Sequence, residues 1–227
     1  MKAIILAAGK GTRLLPLTLE TPKTLVEISG KPIIVHIIES LPEEIDEVVV
    51  VVSHLKDEIK KFLGDSFLNK KIFYTEQGEI PGTFGAVLST KNLFSESERF
   101  LVTNGDDIHG KHEFLDCIKY PRAMAVQKKI MPNYFSIQVN KGYFSGFKSQ
   151  TEDEKINGTL VATGVYVLDT NIFQHPGVLL STGEYGLPQS VFAQTTEFPV
   201  NVVVTDEWLP VNSFEDMEKA NEYFSSK

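Results

Sequence analysis

Leu6-Ala7-Ala8-Gly9-Lys10-Gly11-Thr12-Arg13-Leu14 decides the reading of this chain. The stretch directly follows an apolar run at residues 3–6 that reads as a buried strand. Open α/β sheets bind ligands beyond the carboxyl ends of their strands, which is where this loop falls. Small residues let backbone amides approach a polyphosphate closely, and Arg13 brings charge to neutralise it. Two familiar phosphate loops fail on spacing. A dinucleotide fingerprint needs a third glycine where Leu14 stands, and an acid after the second strand, where the chain reads Ser53-His54. A P-loop needs G-x-x-x-x-G-K-[S/T], which is absent.

Outward from the loop, the first half alternates strands expected at residues 3–6, 47–52, 72–75 and 100–103 with helices near 32–40, 56–63 and 83–92. Val48 to Val52 is unbroken valine, the mark of a strand covered on both faces. This β-α order predicts an α/β fold: a three-layer α/β/α Rossmann-like sandwich around a mostly parallel mixed sheet, with right-handed crossovers. After Tyr120 the pattern turns to strands at 123–127, 135–139, 143–147 and 160–168. A helix near 184–193, a strand at 200–204 and a last helix capped by Ser213 and reaching Phe224 follow. No linker or repeat interrupts the chain. It reads as one domain over residues 1–227, a nucleotide half to about 118 and an acceptor half from about 119.

Composition narrows the function. The 227 residues carry a formal net charge of −8, unlike the broad basic surface of a duplex nucleic-acid binder. Nucleotides and sugar phosphates stay admissible, because local cations, amides and a metal can hold them. The apolar N-terminal run is too short for a signal peptide or a membrane span. Cys117 is the only cysteine, so neither a disulfide framework nor a cysteine zinc site is expected. A cytoplasmic location without nucleic-acid or membrane partners follows as the expectation, and a homo-oligomer stays open.

Thr21-Pro22-Lys23-Thr24-Leu25 and Ile28-Ser29-Gly30-Lys31-Pro32-Ile33 follow the loop at once. From Leu6 to Ile33 the chain resembles the sugar-phosphate nucleotidylyltransferases, whose signature runs L-A-A/G-G-x-G-T-R-L-x-P-L-T, then P-K-x-L, then G-K-P. The resemblance implies a nucleotide-diphospho-sugar transferase fold and a nucleoside triphosphate substrate. It implies nucleotide contacts at Leu6, Ala7, Ala8, Gly9, Gly11 and Thr12. Arg13 would meet the triphosphate and Lys23 the phosphates at the reacting centre. Many such proteins carry a C-terminal β-helix or helical extension; ending at Lys227, this sequence is expected to encode neither.

Gln77, Gly82 and Thr83, in Glu76-Gln77-Gly78-Glu79-Ile80-Pro81-Gly82-Thr83, resemble the segment that reads the base. An amide offers a donor and an acceptor to the imide edge of uracil or thymine, which favours UTP or dTTP. Asp106, in Asn104-Gly105-Asp106-Asp107, resembles the G-D carboxylate that holds Mg²⁺. Asp107 is expected to face the acceptor. In Trp208-Leu209-Pro210-Val211-Asn212-Ser213 the common aspartate two residues after tryptophan is replaced by Pro210, and Asn212 is chosen as second metal ligand. Asn212 can equally be read as part of the cap of the last helix. The implied chemistry is in-line attack by an acceptor phosphate on the α-phosphorus, with no general base required. The five histidines share no metal-ligand spacing.

The acceptor half departs from the pattern. Phe135 stands where a glycine follows tyrosine, Lys148-Ser149-Gln150 where a glutamate is expected, and Ala162-Thr163-Gly164 lacks its asparagine. Gly183-Glu184-Tyr185-Gly186-Leu187 does match a G-E-x-x-L segment. Phe135, Gly164 and Glu184 join Asp107 as acceptor candidates. Three functions compete: transfer of a nucleotide to a sugar 1-phosphate, a cytidylyltransferase acting on phosphocholine or another non-sugar phosphate, and a silent nucleotide-sensing module. A dinucleotide oxidoreductase is disfavoured by Leu14 and the missing acid.

Overall fold

A computed structural model describes residues 1–226; Lys227, the last residue of the single-domain reading, lies outside them. Among the described residues fourteen strands form: β1 (Lys2–Leu6), β2 (Glu27–Ile28), β3 (Lys31–Pro32), β4 (Glu47–Val52), β5 (Ser66–Phe67), β6 (Lys70–Glu76), β7 (Arg99–Asn104), β8 (Asp107–His109), β9 (Ala123–Lys129), β10 (Ser136–Asn140), β11 (Tyr143–Lys148), β12 (Thr159–Asp169), β13 (Asn201–Val204) and β14 (Trp208–Pro210). The helices are α1 (Ile33–Ser40), α2 (Lys56–Leu63), α3 (Thr83–Leu88), α4 (Lys111–Ile118), α5 (Glu152–Asn157), α6 (Leu187–Phe192) and α7 (Phe214–Ser225).

Ten strands make one mixed sheet in the order β10-β11-β13-β9-β12-β7-β1-β4-β6-β5. β7, β1, β4 and β6 run parallel; β12 enters antiparallel beside β7 and β9. Alternation across the central strands divides the core in two. Ala3 and Ile5, Val48, Val50 and Val52, and Leu101 face one layer with α1, α2, α4 and α7. Ile4, Val49 and Val51, and Phe100 and Val102 face the other, with α3 and α6. Successive side chains of a strand point to opposite faces, so a continuous apolar strand requires cover on both. The α/β/α sandwich read from the valine run is therefore what forms.

Several elements differ from the sequence reading. The helix expected at 184–193 starts only at Leu187, because residues 180–186 fold into a tight loop: Leu180 N–H bonds Glu184 O at 2.8 Å and Gly186 N–H bonds Val178 O at 3.1 Å. α3 ends at Leu88 and a 3₁₀ turn at Lys91–Leu93 completes the span expected as helix. α4 and α5 were not anticipated; α5 carries a capping box in which Thr151 and Glu154 satisfy each other's backbone amides. The two-stranded ribbon of β8 and β14 was also missed, and it pairs Asp107 with Pro210. β12 has an irregularity between Ala162 and Tyr166, four residues against the two of β9 from Val126 to Met124, which turns Gly164 toward the end of β7.

Candidate active site

The carboxyl ends of β1, β4, β6 and β7 open on one cleft of about 840 Å³. The loop after β1 forms its floor. Gly11 adopts a left-handed φ of +65°, and a Cβ there would lie 2.9 Å from Thr18 Cγ2. Thr18 Oγ1 donates to Gly11 O at 2.8 Å and fixes the turn. Gly105 packs its backbone on β1, its N–H bonding Leu6 O at 3.0 Å. Leu6, Ala7, Ala8, Gly9, Gly11, Thr12 and Arg13 all line this cleft, as do Gln77, Gly82 and Thr83.

Four side chains close at its centre. Lys23, buried at 8 % exposure, donates to Asp106 Oδ2 and to Asn212 Oδ1, the latter at 3.0 Å. Arg13 Nη2 donates to the same Asn212 oxygen at 2.8 Å. Residues far apart in sequence thus converge on one point. The two readings of Asn212 coexist: Ser213 Oγ accepts from Asp216 N–H and caps α7, while the Asn212 side chain turns to the cleft. Two hard oxygens, one of them a carboxylate, already converge on a cation here, and magnesium takes one or two protein oxygens and completes its shell with phosphate and water. The donor set fits a divalent cation that arrives with a nucleotide. No group of three or more His, Cys, Asp or Glu side chains suited to a metal occurs among the described residues.

Gln77 differs in detail from its expected use. Its Nε2 donates to Ile80 O at 3.1 Å and Gly82 O at 3.2 Å, so the donor half of the amide shapes its own loop. Gly82, at φ +90°, abuts Tyr185; a Cβ would lie 2.5 Å from Tyr185 O. Phe84 N–H bonds Tyr185 O, Tyr185 N–H bonds Pro81 O, and Thr83 Oγ1 accepts from Leu187 N–H at 2.9 Å. These bonds bind the base-side loop to the segment carrying Glu184.

Beside the cleft lies a second cavity of about 570 Å³. Phe135, Gly164 and Glu184 line it, together with Asn104, Phe147 and Tyr166. No lysine, arginine or histidine is among its lining residues. Asp107 is not among them either. It is 3 % exposed, lines the phosphate cleft, and accepts from Asn104 Nδ2 at 2.8 Å, so Asn104 takes the wall position expected of Asp107. Burial, then the negative charge of Asp106, pushes the Asp107 carboxyl up to about 7, against the opposing effects of His109 and the Asn104 bond. Gly164 makes room for this pair: at φ +91°, a Cβ would lie 2.2 Å from Asn104 Nδ2.

Behind Asp107, sequence reasoning missed a buried polar cluster. His109 Nδ1 meets Glu113 Oε2 at 3.1 Å, and Thr163 and Thr205 hydroxyls donate to the same carboxylate at 2.6 and 3.2 Å. The i, i+4 spacing of His109 and Glu113 was the available signal. Asn104 was also missed as a wall of both cavities, although it ends β7 inside the quoted motif. Phe147 is a further wall of the second cavity.

A loop-floored cleft at the carboxyl edge of a mixed sheet, with a lysine, an arginine and a carboxylate at its centre, has the chemistry of a nucleotide-handling phosphoryl-transfer class. The profile of the nucleotidyl transferase family matches residues 2–142, and the chain belongs to that family. It is 34 % identical over 230 residues to the bifunctional protein GlmU of Methanocaldococcus jannaschii, covering 100 % of this chain and 55 % of that protein. It is 28 % identical over 235 residues to the UTP–glucose-1-phosphate uridylyltransferase AglF of Haloferax volcanii, covering 98 % of this chain and 96 % of that one. A UDP-glucose pyrophosphorylase solved with UDP-glucose superposes with a TM-score of 0.83 at 20 % identity, covering 100 % of this chain and 99 % of the other, and shares the fold. The chain spans about half the length of the first curated relatives it matches. No helix among the described residues is long and apolar enough to cross a membrane.

Proposed function

We propose that this chain is a Mg²⁺-dependent nucleotidyltransferase that joins the nucleoside monophosphate of UTP or dTTP to a sugar 1-phosphate. The observation that carries this reading is the convergence of Arg13, Lys23, Asp106 and Asn212 beside the glycine-rich loop. An acceptor phosphate oxygen attacks the α-phosphorus; a new P–O bond forms as the bond to pyrophosphate breaks, and pyrophosphate leaves. The nucleophile is already an anion, so the site has no need of a base. Loop amides hold the triphosphate, Arg13 and Lys23 neutralise the charge that shifts onto the leaving group, and the second cavity orients the acceptor. Asp106 and Asn212 would hold Mg²⁺, which when bound supplies charge neutralisation at the phosphates.

Relatives named for glucose 1-phosphate and UDP-glucose support the sugar acceptor. One observation favours a second acceptor class. The aromatic lining at Phe135 and Phe147, with Glu184 and no cation, also suits a quaternary ammonium such as phosphocholine. The test is pyrophosphate release with each of five nucleoside triphosphates (ATP, GTP, CTP, UTP, dTTP), Mg²⁺ and a panel of glucose, mannose and N-acetylglucosamine 1-phosphates and phosphocholine. Release with UTP or dTTP and a sugar phosphate is expected. Release only with CTP and phosphocholine would replace the acceptor and base readings. Silence throughout would sink the enzymatic reading and leave a nucleotide-sensing module.

A further inference from the structure

Both oxygens assigned above to the divalent cation are engaged by one side chain. Lys23 Nζ donates to Asp106 Oδ2 and, at 3.0 Å, to Asn212 Oδ1. The lysine is 8 % exposed, so the cleft walls hold its ammonium at this point. Arg13 reaches only the amide of the pair, at 2.8 Å, and no contact joins it to Asp106. Lys23 therefore stands as the cation shared by the two ligands. The ammonium lies between Asp106 Oδ2 and Asn212 Oδ1, the position that a magnesium ion about 2.0–2.1 Å from both oxygens would take. Their positive charges would also repel at that range.

We propose that Lys23 is a placeholder for the metal: its ammonium fills the cation position in the nucleotide-free chain and must leave before a divalent cation enters. Without it, a half-buried carboxylate would face an amide oxygen with no compensating charge. A triphosphate gives the released ammonium new anionic partners, so nucleotide and metal enter together. Metal binding to the nucleotide-free chain is then weakened by the need to displace Lys23, and the coupling is reciprocal. The inference rests on the metal assignment made under Proposed function, and it uses Lys23 in a role separate from charge neutralisation during transfer.

Mn²⁺ binding measured by electron paramagnetic resonance without nucleotide tests it on the whole chain. Lys23→Met is expected to bind Mn²⁺ alone about 5–150-fold more tightly than the wild type, the usual range for coupled sites. Arg13→Met, which leaves the Lys23–Asp106 contact in place, is expected to change the affinity much less. A second readout needs no substitution: ε-¹³C-lysine NMR of the wild type during a Mg²⁺ titration. The Lys23 signal is expected to move with the same midpoint as metal occupancy. Saturation by metal while the Lys23 signal stays still, or no gain in Lys23→Met, overturns the placeholder and leaves the pyrophosphate assay above untouched. Absence of Mn²⁺ binding in every arm, including wild type loaded with a nucleoside triphosphate, overturns the metal assignment and the inference with it.

Discussion

The phosphate cleft and the acceptor cavity share a wall at Asn104, Tyr134 and Glu184, yet they are built from different materials. The cleft is backbone and charge: glycine turns at strand ends, with Arg13, Lys23 and Asp106 drawn into contact. The cavity is side-chain surface, largely aromatic and aliphatic, supplied by β10, β11, β12 and the 180–189 segment, with Glu184 as the one acidic residue among those lining it. Every reaction of the proposed type presents the same polyphosphate, so the cleft can be rigid and highly charged. In the proposed reaction the acceptor would be recognised largely by shape and apolar contact, and there Phe135 adds a ring where the related pattern has a glycine.

The largest expected effect breaks the chemistry while leaving the acceptor cavity intact. Lys23→Ala removes the cation at the centre of the cleft, and kcat for pyrophosphate release should fall by about 10²–10³-fold, the cost of losing one preorganised charge-stabilising group. The acceptor KM should move little, because Lys23 does not line the cavity. A variant that lost only acceptor affinity would show that the two regions are not separate in function.

Next comes the cavity. Phe147→Ala should raise the acceptor KM by roughly 10-fold, the scale of lost apolar contact in a pocket, and leave the KM for the nucleoside triphosphate unchanged. With no cation among its lining residues, the cavity should also turn over a uronic acid 1-phosphate at least about tenfold less efficiently than the neutral sugar phosphate. Equal turnover of the two would refute charge exclusion as the basis of selection.

The same division explains what could be read in the sequence. The valine run of β4 and the loop from Leu6 to Arg13 announce themselves locally, because a doubly covered strand and a phosphate turn are set by neighbours in the chain. Asp106 and Lys23 stand in motifs of fixed spacing that the family resemblance covers, and both reach the cleft. The cavity depends on contacts across the fold. The loop at 180–186 displaces the start of α6 and makes Glu184 a loop residue, since its amides bond the Pro81 and Val178 carbonyls and its Tyr185 carbonyl accepts from Phe84 N–H. Asp107 is expected from the sequence to face the acceptor, but its pairing with Pro210 in the β8–β14 ribbon buries it beside the other cleft. No local signal marks three-residue strands such as β8 and β14, or a register irregularity such as the one that turns Gly164 toward Asn104.

Asp107 lies on the border between the two regions and yields a pH test of smaller size. Its carboxyl is pushed up to about 7 in the folded chain, from 3.8, chiefly by burial and then by Asp106. The unfolded chain therefore releases this proton first as pH rises, so stability falls between about pH 4 and 7 and levels off above that. Asp107→Asn cannot ionise. Urea unfolding should show this component of the pH slope gone, and a gain on the order of 1–3 kcal/mol at pH 8 from removing a buried, half-satisfied charge. An unchanged slope would show that Asp107 ionises freely in the folded chain.

The smallest effect sharpens the boundary. Gln150 Nε2 donates to Met131 O at 2.9 Å and Tyr134 O at 2.7 Å, holding the loop that carries Tyr134 and Phe135 to the cavity. Gln150 lines neither cavity, so it acts on the acceptor only through that loop. Gln150→Ala should raise the acceptor KM about 2–10-fold, the worth of one or two hydrogen bonds, with kcat near its wild-type value at saturating acceptor. Tyr134 also lines the phosphate cleft, which makes the nucleotide KM the informative comparison. If it stays constant, Tyr134 serves the acceptor side and the shared wall divides the two regions. A rise in both constants would mean that this loop couples them, and the separation between a rigid cleft and an adaptable cavity would have to be redrawn through Tyr134.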